Sequence, residues 1–168
     1  DDSYEGPNKK ISYYDFLTMW QAFNYSYVVV YTPELKEKVE SIIGEEVDEK
    51  IAWENSLRRA EEESLKEDKN PYPHFNISTA SYHLGDYERS VKEYEKVENV
   101  LPKRMLWYQI EPIKAYQELK NYDKVFEDYK KIGYFSEKKE IEDLLTKTIE
   151  TTKLVGQAIK DEINLLSF

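Results

Sequence analysis

Cysteine is absent from this 168-residue chain, which removes disulfide frameworks, thiolate metal centres and cysteine nucleophiles together. Glycine and proline are scarce, at five and six residues, so a sandwich, a collagen-like array or a flexible linker is disfavoured and helix is favoured. Basic charge is in deficit: 24 Lys and Arg stand against 34 Asp and Glu, a formal net charge of −10. Nucleic acid is therefore not an expected partner, because phosphate contacts need clustered Lys and Arg. No apolar run approaches the roughly 20 residues of a membrane-spanning helix, and no membrane span is expected. The opening Asp1-Asp2-Ser3-Tyr4 has neither the basic nor the apolar part of a secretory leader. With no initiator Met, the expectation is a mature or excised segment, its compartment left open. What is plentiful is apolar and aromatic material, 40% and 14% of residues, enough for the core of one domain.

Residues 1–32 differ in character from the rest. The first ten are loop-like, with Gly6-Pro7-Asn8 as turn chemistry. Ser12, three residues ahead of Asp15, makes an N-cap pair for a short helix to about Ala22. Phe16, Met19, Trp20 and Phe23 share one face of it. The β-branched and aromatic run Tyr25–Tyr31, ended by Thr32-Pro33, predicts a strand. A strand must pair its backbone groups, and no other strand is predicted in this chain. The exposed edge is expected either to disorder or to pair with a second copy, giving a possible homodimer through the N-terminal strand.

From Pro33 the pattern is helical. Leu35, Val39 and Ile42 or Ile43 space one helix that stops at Gly44. Trp53, Leu57, Ala60 and Ser64 mark the buried stripe of the next, which ends before Lys69-Asn70-Pro71. Residues 33–69 hold 13 acidic and 7 basic side chains, so −6 of the −10 lies here, a charge that reads as a solvated helix surface.

An internal repeat follows. Leu84-Gly85-Asp86-Tyr87 corresponds to Leu119-Lys120-Asn121-Tyr122, 35 residues later. Ser90, Tyr94 and Val97 recur as Val125, Tyr129 and Ile132, at the same offsets and on one helix face. Each unit is expected to be two antiparallel helices around a tight turn, with Tyr87, Tyr94, Tyr122 and Tyr129 packed between hairpins. Hairpins of this kind bury their apolar stripes by stacking. The pattern resembles the tetratricopeptide repeat, closely over 71–102 and fairly over 106–135, with 33–69 as a degenerate leading hairpin. It departs at Lys120, where Gly is usual, and at Pro112, which should kink a first helix or shift its start. The expected fold class is thus mainly α, a tetratricopeptide-like superhelix over 33–168 with a short N-terminal helix–strand remnant over 1–32. At the C-terminus, Ile141, Leu145, Ile149, Thr152, Val155, Ile159, Ile163 and Leu166 form one stripe, predicting a covering helix from about Ser136 or two helices broken near Gly156.

A second resemblance lies in residues 1–32. Asp2-Ser3, Gly6, Ile11-Ser12, Asp15-Phe16 and Trp20 are similar in spacing to the end of bacteriocin-processing papain-like cysteine peptidase domains, although Ser3 stands where Pro is usual. The resemblance implies that Asp2 is the acidic member of a Cys-His-Asp set, whose role is to orient the histidine. The nucleophile and base of that family lie upstream of this Asp, so the chain itself is expected to be catalytically inactive. Nothing else builds a site. His74 and His83 lie nine residues apart, about half a turn out of phase on one helix, so no shared metal site is expected. Glu61-Glu62-Glu63 reads as a solvated turn, the glycines are scattered, and no cofactor is expected.

A surface remains. The tetratricopeptide resemblance implies a concave groove lined by the first helix of each hairpin and holding an extended protein or peptide ligand. By spacing, Tyr72, Phe75, Thr79, Tyr82 and His83 would line it in the first unit, and Trp107, Ile110, Lys114 and Gln117 in the second. Aromatics suit an interface, and they equally suit packing between hairpins. Two functions stay open: a peptide-binding repeat module of a larger peptidase-like protein, or a piece of a cysteine peptidase contributing only Asp2.

Overall fold

The computed structural model describes residues 10–66 and 69–133. The protein is mainly helical, with eight α-helices and no strand among the described residues. The C-terminal stripe expected over 136–168 lies outside them. Among the described residues, 10–125 belong to one compact unit and 126–133 to a second.

Helix α1 (Tyr13–Gln21) starts where the sequence predicts. The Asp15 amide donates to Ser12 Oγ at 3.0 Å, and Ser12 Oγ donates back to Asp15 Oδ2 at 2.6 Å. The strand expected over 25–31 does not form: residues 26–32 carry no regular secondary structure. Asn24 and Tyr25 both adopt φ 53°, the left-handed region, and the Trp20 indole donates to the Ser26 carbonyl at 2.7 Å. The chain turns over residues 22–25, ahead of this segment. Val28 and Val30 are left 89% and 92% exposed, so alternation of β-formers without a partner ladder produced an open segment.

A 3-10 turn at Pro33–Leu35 leads into α2 (Lys36–Ile43), and Gly44, at φ 70°, ends it. A second 3-10 turn, Gly44–Val47, precedes α3 (Glu49–Ser64), which Asp48 caps by accepting from the Lys50 and Ile51 amides. Helix α4 (Pro71–His83) begins with Asn70 as cap and Pro71 in its first turn.

Helix α4 is central, packed against α3, α5 (Tyr87–Glu95) and α7 (Glu111–Glu118). Every residue from Phe75 to Ser81 is buried. Ser78 and Ser90 are fully buried with their hydroxyls 3.3 Å apart, so small side chains let α4 and α5 approach closely. Phe75, Ile113 and Tyr116 are at most 1% exposed, each worth about 1.5–3 kcal/mol of burial. Tyr94, 2% exposed, has its ring centroid 6.3 Å from Phe75 and 6.4 Å from Tyr116. An Arg89–Glu61 ion pair joins α5 to α3.

The two short turns share one hydrogen-bond set. Around Gly85, the amides of Leu84, Gly85 and Asp86 donate to the carbonyls of Ala80, Tyr82 and Ser81. Around Lys120, the amides of Leu119, Lys120 and Asn121 donate to those of Ala115, Gln117 and Tyr116. Asp86 and Asn121 then cap the following helices, α5 and α8 (Tyr122–Lys131), by accepting from the Arg89 and Lys124 amides. Lys120 takes φ 59°, close to the 82° of Gly85, so the departure in residue type leaves the turn conformation in place.

One expectation is corrected here, and of the two effects expected of Pro112 one is seen. Tyr122 is 59% exposed, not packed. Its counterpart Tyr87 leans on the Tyr82 ring at 5.6 Å, and the residue at the Tyr82 position of the later copy is Gln117, which offers no ring. Pro112 shifts the helix start: α6 (Met105–Tyr108) ends, and α7 begins afresh at Glu111.

Candidate functional site

The end of α1 lies across the helices that follow and is held by its backbone. Asn76 Nδ2 donates to the Gln21 carbonyl at 2.8 Å, Gln109 Nε2 to the Ala22 carbonyl at 2.7 Å, and Arg59 Nη2 to the Asn24 carbonyl at 3.1 Å. These donors come from α4, from the α6–α7 junction and from α3. Asn76 is fully buried and Gln109 is 8% exposed, where an amide earns its place only by making such bonds. Side-chain contacts add to this grip, which makes residues 21–25 a strap. Asn70 donates to Gln21 Oε1, Gln21 and Tyr25 donate to the two oxygens of Glu63, and the Arg59 guanidinium lies 4.5 Å from the Tyr25 ring centroid.

Beside the strap is a groove of about 650 Å³. Its walls come from residues 23–31, α2, the Gly44–Val47 turn, α3, the end of α4 and residues 108–111. Trp53 and His83 stack within it, ring centroids 3.8 Å apart and planes 5° from parallel. His83 Nε2 lies 3.5 Å from Glu111 Oε1. Three buried polar atoms of its lining have no hydrogen-bond partner: Asn24 Nδ2, Arg59 Nε and Glu111 Oε2. Such groups are costly to leave unpaired, so each marks a place where a ligand atom would be favourable.

Of the residues the sequence nominated, Thr79 and His83 line this groove. Phe75 does not: it is fully buried against Tyr94 and is core. Tyr72 is half-buried away from the groove lining, and Tyr82 packs on Tyr87, with Lys114 Nζ 6.0 Å from its ring centroid. Burial raises the Tyr82 phenol above its ordinary pKa, and Glu118, Tyr87 and Glu111 add to the rise. Trp107, 66% exposed, sits on α6, whereas Ile110, Lys114 and Gln117 belong to α7 and its cap. The break at Gln109 therefore separates residues that a continuous helix would have placed on one face.

Sequence reasoning missed Trp53, Arg59, Asn76, Gln109 and Glu111 as site residues. A signal was available for one part. Asn76, Ser78, Thr79 and Ser81 crowd polar, weakly helix-forming residues into the middle of a helix, a pattern that fits side chains with hydrogen-bonding duties.

His74 and His83 serve different partners, as their phase predicts. The His74 imidazole meets Glu93 Oε2 at 2.7 Å, whereas His83 pairs with Glu111. Burial by itself would raise the Glu93 carboxyl, but hydrogen bonds from Lys96 and His74 and their charges outweigh it and hold Glu93 below the usual carboxylate range. Among the described residues no cluster of three His, Asp or Glu side chains is arranged for a metal ion, and no helix is long and apolar enough to cross a membrane. Asp2 lies outside the described residues. The chain matches no protein-family model, no curated protein and no solved structure.

Proposed function

We propose that the chain is a protein- or peptide-binding helical repeat module of the tetratricopeptide type, with stacked hairpins over 33–135. In this reading residues 1–32 are the C-terminal end of a papain-like peptidase domain, and the chain alone performs no hydrolysis. The observation that carries the binding role is the grip on residues 21–24. Three side chains from three separate parts of the array each donate to a main-chain carbonyl. A surface that holds chain by its backbone takes peptides whatever their side chains, and adjacent pockets then select among them. The groove beside the strap continues that surface, with aromatic walls and unpaired donors and acceptors.

The test is a peptide array of random sequences probed with the pure protein. Binders are then titrated while the Trp53 indole and His83 ring resonances are followed by NMR. Shifts at both rings, and loss of binding in Trp53→Ala, are expected. Binders that leave both rings unperturbed, or an array without binders, would refute the groove reading.

A further inference from the structure

We propose that the groove accepts a basic side chain, arginine or lysine, of a bound peptide, with its cation seated against Glu111. The inference rests on the peptide-groove reading and adds the chemistry of the ligand. Four carboxylates line the groove, those of Glu40, Glu46, Glu49 and Glu111. Arg59 is the one Lys or Arg among the lining residues, and it is already committed. Its Nη2 reaches Asn24 and Ser56, and its guanidinium covers the Tyr25 ring. Lys36 pairs with Glu40 at 3.7 Å, whereas Glu46, Glu49 and Glu111 have no Lys or Arg partner among the described residues, so the groove carries an excess of negative charge.

Glu111 is the carboxylate placed to use that excess. Its side chain is only 16% exposed, Oε1 faces His83 at 3.5 Å, and Oε2 has no donor. An incoming ammonium or guanidinium supplies the missing donor as a charge-assisted bond, stronger than a neutral one. The aromatic walls suit the rest of such a side chain. The aliphatic stem of Lys or Arg lies well on apolar surface, and its cation is attracted to ring faces.

A second, independent observation points to a peptide. Asn24 is 7% exposed and lines the same groove, yet its Nδ2 has no acceptor. A main-chain carbonyl of the ligand satisfies it, in the same manner as Asn76 and Gln109 satisfy carbonyls of the strap. Donor, acceptor and aromatic surface together match a short peptide bearing a cation. An acidic or phosphorylated peptide would meet the like charges of Glu46, Glu49 and Glu111.

The probes are pools of acetylated octapeptides, random in neutral residues, with a fixed central Arg, Lys, citrulline, norleucine or Glu. Titration calorimetry should show the Arg and Lys pools binding about tenfold more tightly than citrulline, the difference a well-placed charge pair commonly makes. Glu111→Gln, with its folding checked by thermal melting, should close that gap to about twofold. In the unaltered protein the gap should narrow between about 50 mM and about 500 mM salt, as screening requires. If citrulline, norleucine or Glu pools bind as tightly as Arg, and all lose affinity in Trp53→Ala, the charge inference falls and the groove reading stands. If no pool binds, both fall.

Discussion

Replacing Gln109 by leucine tests whether backbone capture holds the N-terminal segment. Leucine nearly matches glutamine in volume, so the substitution removes hydrogen bonds without opening a large cavity. Two bonds disappear: Nε2 to the Ala22 carbonyl at 2.7 Å, and Thr79 Oγ1 to Oε1 at 3.2 Å. They are not equal losses. The single Thr79 hydroxyl proton has the Phe75 carbonyl, also at 3.2 Å, as its other acceptor, so the hydroxyl stays satisfied. The Ala22 carbonyl, in a residue 7% exposed, faces leucine with no donor. An orphaned buried carbonyl costs about 1–3 kcal/mol. Equilibrium urea unfolding should therefore lose about that much, with the slope m unchanged because the surface exposed on unfolding is the same. Native-state hydrogen exchange should show where the loss falls. Amides of α1 should exchange roughly 5- to 30-fold faster if the cost is about 1–2 kcal/mol, with those of α4 and α5 less affected. A stability change below about 0.5 kcal/mol, the usual range for surface substitutions, with α1 protection intact, would refute the reasoning.

Two other outcomes follow from named features. Lys120→Gly should stabilise the fold by about 0.5–1 kcal/mol in thermal or urea unfolding, the relief of a left-handed side chain partly offset by the glycine's freedom in the unfolded chain; a neutral or negative result would separate this turn from the one at Gly85. Because Glu93 is held below its ordinary value in the fold, its contribution to stability is full above the unfolded value of about 4.3 and is lost as the pH falls through the folded value. Glu93→Gln should flatten that acid limb of a stability–pH curve, and an unchanged limb would assign acid sensitivity to other carboxylates.

Local signals carried well from sequence to structure. The Ser12–Asp15 cap, the stop at Gly44, the Asn70-Pro71 start and both turns 35 residues apart lie where residue chemistry put them. Each depends on neighbours within about four positions. Ser90, Tyr94 and Val97 are all buried, and of their counterparts Ile132 is buried while Val125 and Tyr129 are half-buried. The failures are of another kind. Tyr25–Tyr31 has strand composition, but a strand is a property of two segments, and no second segment pairs with it among the described residues. Phase alone put Phe75 in the groove, since a helix buried on all sides, as α4 is, has no single inner face. The groove itself joins residues from 23 to 111, and periodicity within one helix does not report such encounters.

The strap over α3 and α4 has a consequence in terms of competition. Asn76, Gln109 and Arg59 bind carbonyls at 21, 22 and 24, and every residue presents a carbonyl acceptor. Their preference for this stretch comes from tethering together with the side-chain contacts of Gln21, Asn24 and Tyr25. A tethered segment acts as a ligand at an effective concentration on the order of mM, and a free peptide of equal contacts would have to exceed that to displace it. The strap's length and its position relative to α3 are thus constrained along with the side chains of Gln21, Asn24 and Tyr25, which bond to Glu63, Asn70 and Arg59.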